Sequence, residues 1–245
     1  MKFIGIIPAR YQSTRFPGKP LAMIKNKPMI QWVYENALNA LDNVFVATDD
    51  NRIFESVEAF GGRVVNTLST HQSGTDRCAE AAEIVARELD FDVVINIQGD
   101  EPFIRPEQIE IIKNCFSDGT VEIATLVKKI ESGDELFNPN RPKVVVDGQK
   151  NALYFSRAPI PYLRNVEKDN WYLNHNFWAH IGMYAFRYDI LQKLTRLKQT
   201  KLEMAESLEQ LRWLENGCKI RTAETTYQTI GIDTPEDLDA ALQLF

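Results

Sequence analysis

The amino-terminal stretch MKFIGIIPARYQSTRFPGK constrains the fold most. Its apolar run of Phe3, Ile4, Ile6 and Ile7 stops at Pro8, and the segment beyond carries Arg10, Arg15 and Lys19 among small and hydroxylated residues. Six basic side chains (Lys2, Arg10, Arg15, Lys19, Lys25 and Lys27) precede the first carboxylate, Glu35, although the chain has a formal charge of -6. A buried strand that runs into a basic loop is what an open α/β sheet needs to hold an anion at the carboxyl edge of its strands, where such sheets bind ligands.

The following segments extend the pattern. Ile30, Val33, Tyr34, Ala37, Leu38 and Leu41 recur at helical spacing, with Pro28 suited to the first turn. Val44 to Thr48 reads as a strand ending at Asp49 and Asp50, followed by a helix to Phe60 that Gly61 or Gly62 closes. Arg63 to Asn66 is a further strand, Thr75 to Leu89 a helix, and Asp92 to Ile97 a third apolar run. Strands alternating with helices imply right-handed crossovers and a mainly parallel sheet. Pro106 to Phe116 reads as a helix and Glu122 to Lys128 as a strand.

The alternation then breaks. Lys143 to Val146 and Ala152 to Phe155 flank Asp147, Gly148, Gln149 and Lys150, the signature of an antiparallel hairpin. An aromatic stretch follows, then a strand over Phe177 to Phe186. Glu203 to Asn216 reads as one helix stopped by Gly217, Lys219 to Thr225 as a strand, and Thr234, Pro235 and Glu236 as the start of a last helix.

Composition narrows the function. With 44% hydrophobic and 25% charged residues the chain is globular, and its acidic balance disfavours nucleic-acid binding, which needs many cations. The basic opening therefore points to a small anion. Cys78, Cys115 and Cys218 form no CxxC pattern, and His71, His175 and His180 form no HExxH pattern, which fits reduced thiols in a cytoplasm and no zinc site. No signal peptide and no membrane span is expected.

Four clusters carry candidate chemistry. In the opening loop, Gly18 and Lys19 fail the P-loop pattern because residue 13 is Ser and residue 20 is Pro. Arg10, Ser13, Thr14, Arg15 and Lys19 remain as a polyanion clamp, with a solvated basic loop as the alternative. Asp100, just past an apolar strand in NIQGDEP, stands where a Mg²⁺ ligand is useful, or simply caps a turn. Asp233 in GIDTP is a second such carboxylate, or a helix cap. Ser73, Gly74 and Thr75 in HQSGTDR open a helix whose amides suit an anion or a base edge.

Seven blocks now stand in order: PARYQSTRFPGKPL, HQSGTDR, NIQGDEP, YFSRAPIP, HIGMYAFR, LEQLR and GIDTPEDL. Spread from Ile6 to Leu238, they closely resemble the 3-deoxy-manno-octulosonate cytidylyltransferases, or CMP-Kdo synthetases. The resemblance implies an α/β, nucleotidyltransferase-type three-layer fold with a mainly parallel sheet and an antiparallel hairpin elaboration. One domain over 1–245 is expected, with a sugar-binding and dimerisation subdomain around 130–187. The implied reaction joins CMP from CTP to the anomeric hydroxyl of 3-deoxy-D-manno-octulosonate (Kdo) and releases pyrophosphate, for lipopolysaccharide biosynthesis.

By the same resemblance, Lys19, Asp100 and Asp233 are catalytic, and Asp100 and Asp233 bind Mg²⁺. Arg10, Ser13, Arg15, Lys19, Ser73, Gly74, Thr75 and Arg77 face the nucleotide, with Arg15 and Arg77 near it or near the sugar carboxylate. Gln98, Arg157, His180, Tyr184, Glu209 and Gln210 line the sugar-acid pocket. A cytoplasmic homodimer is implied. Before LEQLR the chain reads Thr200, Lys201, Leu202, Glu203, where the family often has Pro-Leu-Glu. The competing readings are a cytidylyltransferase for another acidic sugar, 8-amino-Kdo or sialic acid, and a catalytically silent nucleotide-binding protein.

Overall fold

The computed structural model describes residues 1–227 and 231–243. In chain order its strands and helices are β1 (Phe3–Ala9), β2 (Met23–Ile24), β3 (Lys27–Pro28), α1 (Met29–Leu38), β4 (Val44–Thr48), α2 (Asn51–Ala59), β5 (Val64–Asn66), α3 (Gly74–Val85), β6 (Val93–Asn96) and α4 (Pro106–Asn114). These are followed by β7 (Ile123–Lys129), α5 (Gly133–Phe137), β8 (Lys143–Val146), β9 (Ala152–Ser156), α6 (Trp171–Asn174), β10 (Trp178–Arg187), α7 (Tyr188–Leu194), α8 (Lys201–Glu206), α9 (Gln210–Glu215), β11 (Ile220–Glu224) and α10 (Pro235–Leu242). A short 3₁₀ turn covers Lys19–Leu21. No helix among the described residues is long and apolar enough to cross a membrane.

The chain divides into two compact units, one of residues 1–110, 185–195 and 229–245, the other of 111–184 and 196–228. The second is wider than the 130–187 segment expected as an elaboration, because β7, α8, α9 and β11 belong to it.

In the first unit the strands run in the order β6-β1-β4-β5, all parallel. Ile4, Ile6 and Ile7 of β1, Val44, Val46 and Ala47 of β4, and Val93, Val94 and Ile95 of β6 are buried. Strands that are apolar at successive positions have both faces covered, and the helical crossovers of a parallel sheet provide that cover. A smaller cluster joins Ile24 and Met29 to Ile232 and Ala241, with Phe16, Trp32, Phe103 and Leu238 packed around it. It fastens the carboxy-terminal segment beside the start of α1.

In the second unit β7 lies between β11, its parallel partner, and β10. The hairpin β8–β9 is antiparallel, as its sequence implies, and β8 also pairs with β10 at Trp178 and Ala179. Mainly parallel strands with antiparallel additions are the mixed α/β arrangement expected.

Several local expectations need correction. Pro28 is the N-cap of α1 and lies outside its first turn. The helix expected over 203–216 is two helices, because Ser207 adopts a left-handed conformation with φ 52°. The reason is non-local. The Glu206 carboxylate accepts from Ser156 Oγ at 2.6 Å and Arg157 N at 2.9 Å, and the Glu206 carbonyl accepts from Arg157 Nε at 2.6 Å. The end of β9 thus captures the chain and turns it. The helix α7 directly after β10 has no counterpart among the expected elements.

Candidate active site

The loop between β1 and the Lys19 turn is closed at its base, where Gly18 N–H donates to Tyr11 O at 2.8 Å. Gly18 has φ +74°, a left-handed conformation that glycine adopts without steric cost. This closure delivers Lys19 to the ends of two other segments. Its Nζ lies 2.6 Å from Asp100 Oδ2, beyond β6, and 3.1 Å from Asp233 Oδ1, before α10. The Lys19 side chain is only 14% exposed. Burial pulls its pKa down, but Asp100 and then Asp233 outweigh this and hold it above the usual lysine value. The ammonium is therefore charged at every physiological pH.

The backbone brings the two carboxylates together. Ile232 N–H donates to Asp100 O at 2.9 Å, and Thr234 caps α10 by accepting from Asp237 N at 3.2 Å, so Asp233 is held between two anchored neighbours. Two hard oxygen donors thereby meet at a point occupied by one ammonium. Arg15 adds a more exposed contact to the far side of Asp233, at 3.0 Å.

Beside this group is a cavity of about 430 Å³ lined by residues that include Arg10, Ser13, Thr14, Lys19, Gly74, Gln98 and Asp100. Gln12 and Gly99 also face it; no role was expected for either. Gly99 lies so near β1 that a Cβ there would be 2.9 Å from the Pro8 carbonyl oxygen. Arg10 donates to His71 O at 2.5 Å and to Ser73 O at 3.3 Å, tying the loop to the segment that starts α3. Ser73 is the N-cap of α3, accepting from Asp76 N at 3.1 Å. Its side chain is used within the helix start and Thr75 is buried, while Gly74 opens onto the cavity.

Arg77 does not join this cavity. It is fully buried, with Nη2 2.8 Å from Asp49 Oδ1 and Nη1 donating to Thr67 Oγ1 at 2.5 Å. Its charge is balanced inside the unit by Asp49.

The residues expected on the sugar side, apart from Gln98, lie in the second unit. His180 Nε2 is 3.0 Å from Thr125 Oγ1, whose single proton has carbonyl acceptors at Met183 O, 2.8 Å away, and Ile181 O, 3.2 Å away. If the hydroxyl gives its proton to either carbonyl, it accepts from His180 Nε2–H and leaves Nδ1 as an acceptor. Burial lowers the His180 pKa to about 3, so the ring is neutral at pH 7. Its ring packs against Phe155 and Tyr184. Tyr184 is buried, which raises its phenol well above the ordinary value, and Glu209 adds to the rise.

Gln210 is 5% exposed and its Nε2 has no hydrogen-bond partner among the described residues. Arg157 holds the neighbouring backbone. Its guanidinium donates to the carbonyls of Glu206, Pro139 and Ser207, at 2.6, 3.0 and 3.2 Å. In the structure as it stands, that side chain braces the turn leading to Glu209 and Gln210.

Comparison with known proteins decides the family. A family profile described as cytidylyltransferase matches residues 4–220. The 3-deoxy-manno-octulosonate cytidylyltransferase of Parabacteroides distasonis is 58% identical over 99% of this chain and 97% of its own length. That of Bacteroides thetaiotaomicron is 57% identical over 98% and 97%. The chain belongs to the 3-deoxy-manno-octulosonate cytidylyltransferase family.

A solved CMP:2-keto-3-deoxy-manno-octonic acid synthetase, complexed with CTP, superposes with a TM-score of 0.91 at 45% identity, covering all of this chain and 98% of that one. A cytidylyltransferase from Leptospira borgpetersenii has a TM-score of 0.64 at 18% identity, covering 100% of this chain and 88% of that one, a likeness of fold alone. Within the family frame, the Lys19, Asp100 and Asp233 group lies at the carboxyl ends of β1 and β6. Open α/β sheets bind ligands at that edge.

Proposed function

We infer that the chain transfers CMP from CTP to the anomeric hydroxyl of Kdo, releasing pyrophosphate and supplying CMP-Kdo for lipopolysaccharide biosynthesis. The observation that carries this reading is the convergence of Lys19, Asp100 and Asp233 beside a cavity lined by Arg10 and Ser13. A cytidylyltransferase that binds a triphosphate and expels pyrophosphate needs such a set: cations for the phosphates and a pair of carboxylates at the same point.

Mg²⁺ fits the donor set. It takes one or two protein carboxylates and fills its octahedron with phosphate oxygens and water, and Asp100 and Asp233 supply such a pair. When bound, Mg²⁺ neutralises triphosphate charge and makes a coordinated hydroxyl more acidic.

The side chains divide the remaining work. Arg10, Ser13 and Lys19 hold the triphosphate, and Lys19 faces the departing pyrophosphate. In the second unit, neutral His180 presents Nδ1 to a sugar hydroxyl, and Gln210 Nε2 donates to another oxygen of Kdo. Gln98 belongs to the same sugar-acid reading, as do Tyr184 and Glu209. The anomeric oxygen attacks the α-phosphorus in line with the leaving group, the proton is lost from the hydroxyl, and no covalent enzyme intermediate is needed. The reading also takes a cytoplasmic homodimer as the working form.

Pyrophosphate release from CTP, measured with Kdo, 8-amino-Kdo and sialic acid in turn, tests the assignment. Turnover with Kdo is expected, and activity with sialic acid but not Kdo would overturn the substrate. Asp100→Asn should abolish release while preserving the circular-dichroism spectrum; near-normal turnover would remove Asp100 from the metal site.

A further inference from the structure

Tyr11 carries no charge yet lies at the centre of the basic loop's construction. The guanidinium carbon of Arg52, on the first turn of α2, sits 3.2 Å from the centre of the Tyr11 ring. Arg52 is itself fixed, since Nε and Nη2 donate to Asp50 Oδ1 and Oδ2 at 2.9 and 2.6 Å. Asp50 is fixed in turn as the N-cap of α2, accepting from Arg52 N at 3.0 Å. On the loop side, the Tyr11 carbonyl accepts from Gly18 N–H, and a Cβ on Gly18 would come within 3.1 Å of the ring and its hydroxyl. One rigid helix end therefore grips the residue at which both ends of the loop meet. The next residue after Gly18 is Lys19.

We propose that the Arg52–Tyr11 stack is a latch that holds the basic loop in its phosphate-binding conformation, making Arg52 and Tyr11 positioning residues for CTP. The proposal rests on the reading of this loop as a triphosphate clamp. Neither side chain needs to touch the nucleotide. Arg52 is 58% exposed, so its pair with Asp50 adds little to global stability. Its effect is on how much of the population has the loop closed. A ligand that binds only the closed form loses apparent affinity in proportion to the closed fraction.

The test compares Arg52→Ala, Tyr11→Ala, Tyr11→Phe and the Arg52→Ala/Tyr11→Ala double variant with the wild-type full chain. Hydrogen–deuterium exchange is read first, without substrate, on peptides covering 10–19. Exchange at Gly18 should speed up in Arg52→Ala and Tyr11→Ala and stay unchanged in Tyr11→Phe, while peptides of β6 are unaffected. In turnover assays, KM for CTP should rise about twofold to tenfold in the two alanine variants, with kcat and the KM for Kdo unchanged. The double variant should be no worse than the worse single one. Wild-type exchange in Arg52→Ala overturns the latch, as do additive single effects or a Tyr11→Phe variant as impaired as Tyr11→Ala. Faster Gly18 exchange in the variants of a protein that never binds CTP would keep the latch and overturn the triphosphate reading.

Discussion

Lys19 Nζ and Asp100 Oδ2 stand 2.6 Å apart, and the same ammonium reaches Asp233 at 3.1 Å. One cation thus reconciles two carboxylates that arrive from distant parts of the chain. Without it they would repel one another in a partly buried place, where charge interactions are stronger than in bulk water.

Lys19→Met is therefore expected to damage the site without unfolding the protein. Pyrophosphate release should fall at least about a hundredfold, the scale seen when a group that stabilises developing charge is removed. Because the folded pKa of Lys19 is raised above 10.5, its stabilising contribution is complete below that value and fades only as the pH climbs through the raised one. The difference in urea midpoint between wild type and Lys19→Met should then be constant between about pH 7 and 9. A difference that disappears within that window would contradict the assignment.

Gly99 precedes Asp100 and permits the close approach to Pro8 O, where a Cβ would stand at 2.9 Å. Gly99→Ala must push backbone against backbone, and overpacking of this kind costs about 1–3 kcal/mol. The expected result is a lower urea midpoint together with slower turnover, because the displacement falls on the residue next to a carboxylate of the site. Full activity in a variant of unchanged stability would show that the approach is slack.

Glu203 and Arg212 form a bidentate pair in the second unit, with Nε at 2.8 Å and Nη2 at 2.5 Å from the carboxylate, and both residues are less than 9% exposed. Glu203 also accepts from Thr200 N in a capping box. Removing one partner of a buried pair leaves an uncompensated charge, so Arg212→Leu should lose roughly 3–5 kcal/mol. Chemical denaturation measures the loss directly. The double variant Glu203→Leu/Arg212→Leu should recover much of it, and failure to recover would place the cost elsewhere.

How much of this was legible in the residues follows from how local each feature is. The β8–β9 hairpin, the left-handed Gly61 and Gly217, and the Thr234 cap depend on neighbours in sequence, and each is where its residues put it. Asp100 and Asp233 could be read as two candidate Mg²⁺ ligands from their own positions, but that Lys19 acts with them came from the family resemblance. The pairing of Arg77 with Asp49, on another segment, is beyond what its motif can reveal. The break at Ser207 was hidden for the same reason: its cause is Glu206 binding to the end of β9. Nothing in the sequence around Tyr11 or Arg52 joins the two, and only the fold puts one over the other.

Lys143 gives a prediction with an unusual sign. It is fully buried on β8, and its Nζ donates to Asn138 O at 2.9 Å. Burial, and then repulsion from Arg157, lower its pKa to about 8, with Glu206 opposing them. In the unfolded chain the same amine titrates near 10.5. Below about pH 8 both states hold the proton and Lys143 contributes no pH dependence. Between about 8 and 10.5 the folded protein has released the proton while the unfolded chain retains it, so stability rises with pH. The gain is at most about 3 kcal/mol. Lys143→Met removes this titration, although it leaves the Asn138 carbonyl without its donor and lowers stability at neutral pH by about 1–3 kcal/mol. Urea denaturation of both proteins at several pH values should show the wild type drawing further ahead of the variant from pH 8 upward. A constant gap across that range would mean that the Lys143 ammonium is not destabilised by its surroundings.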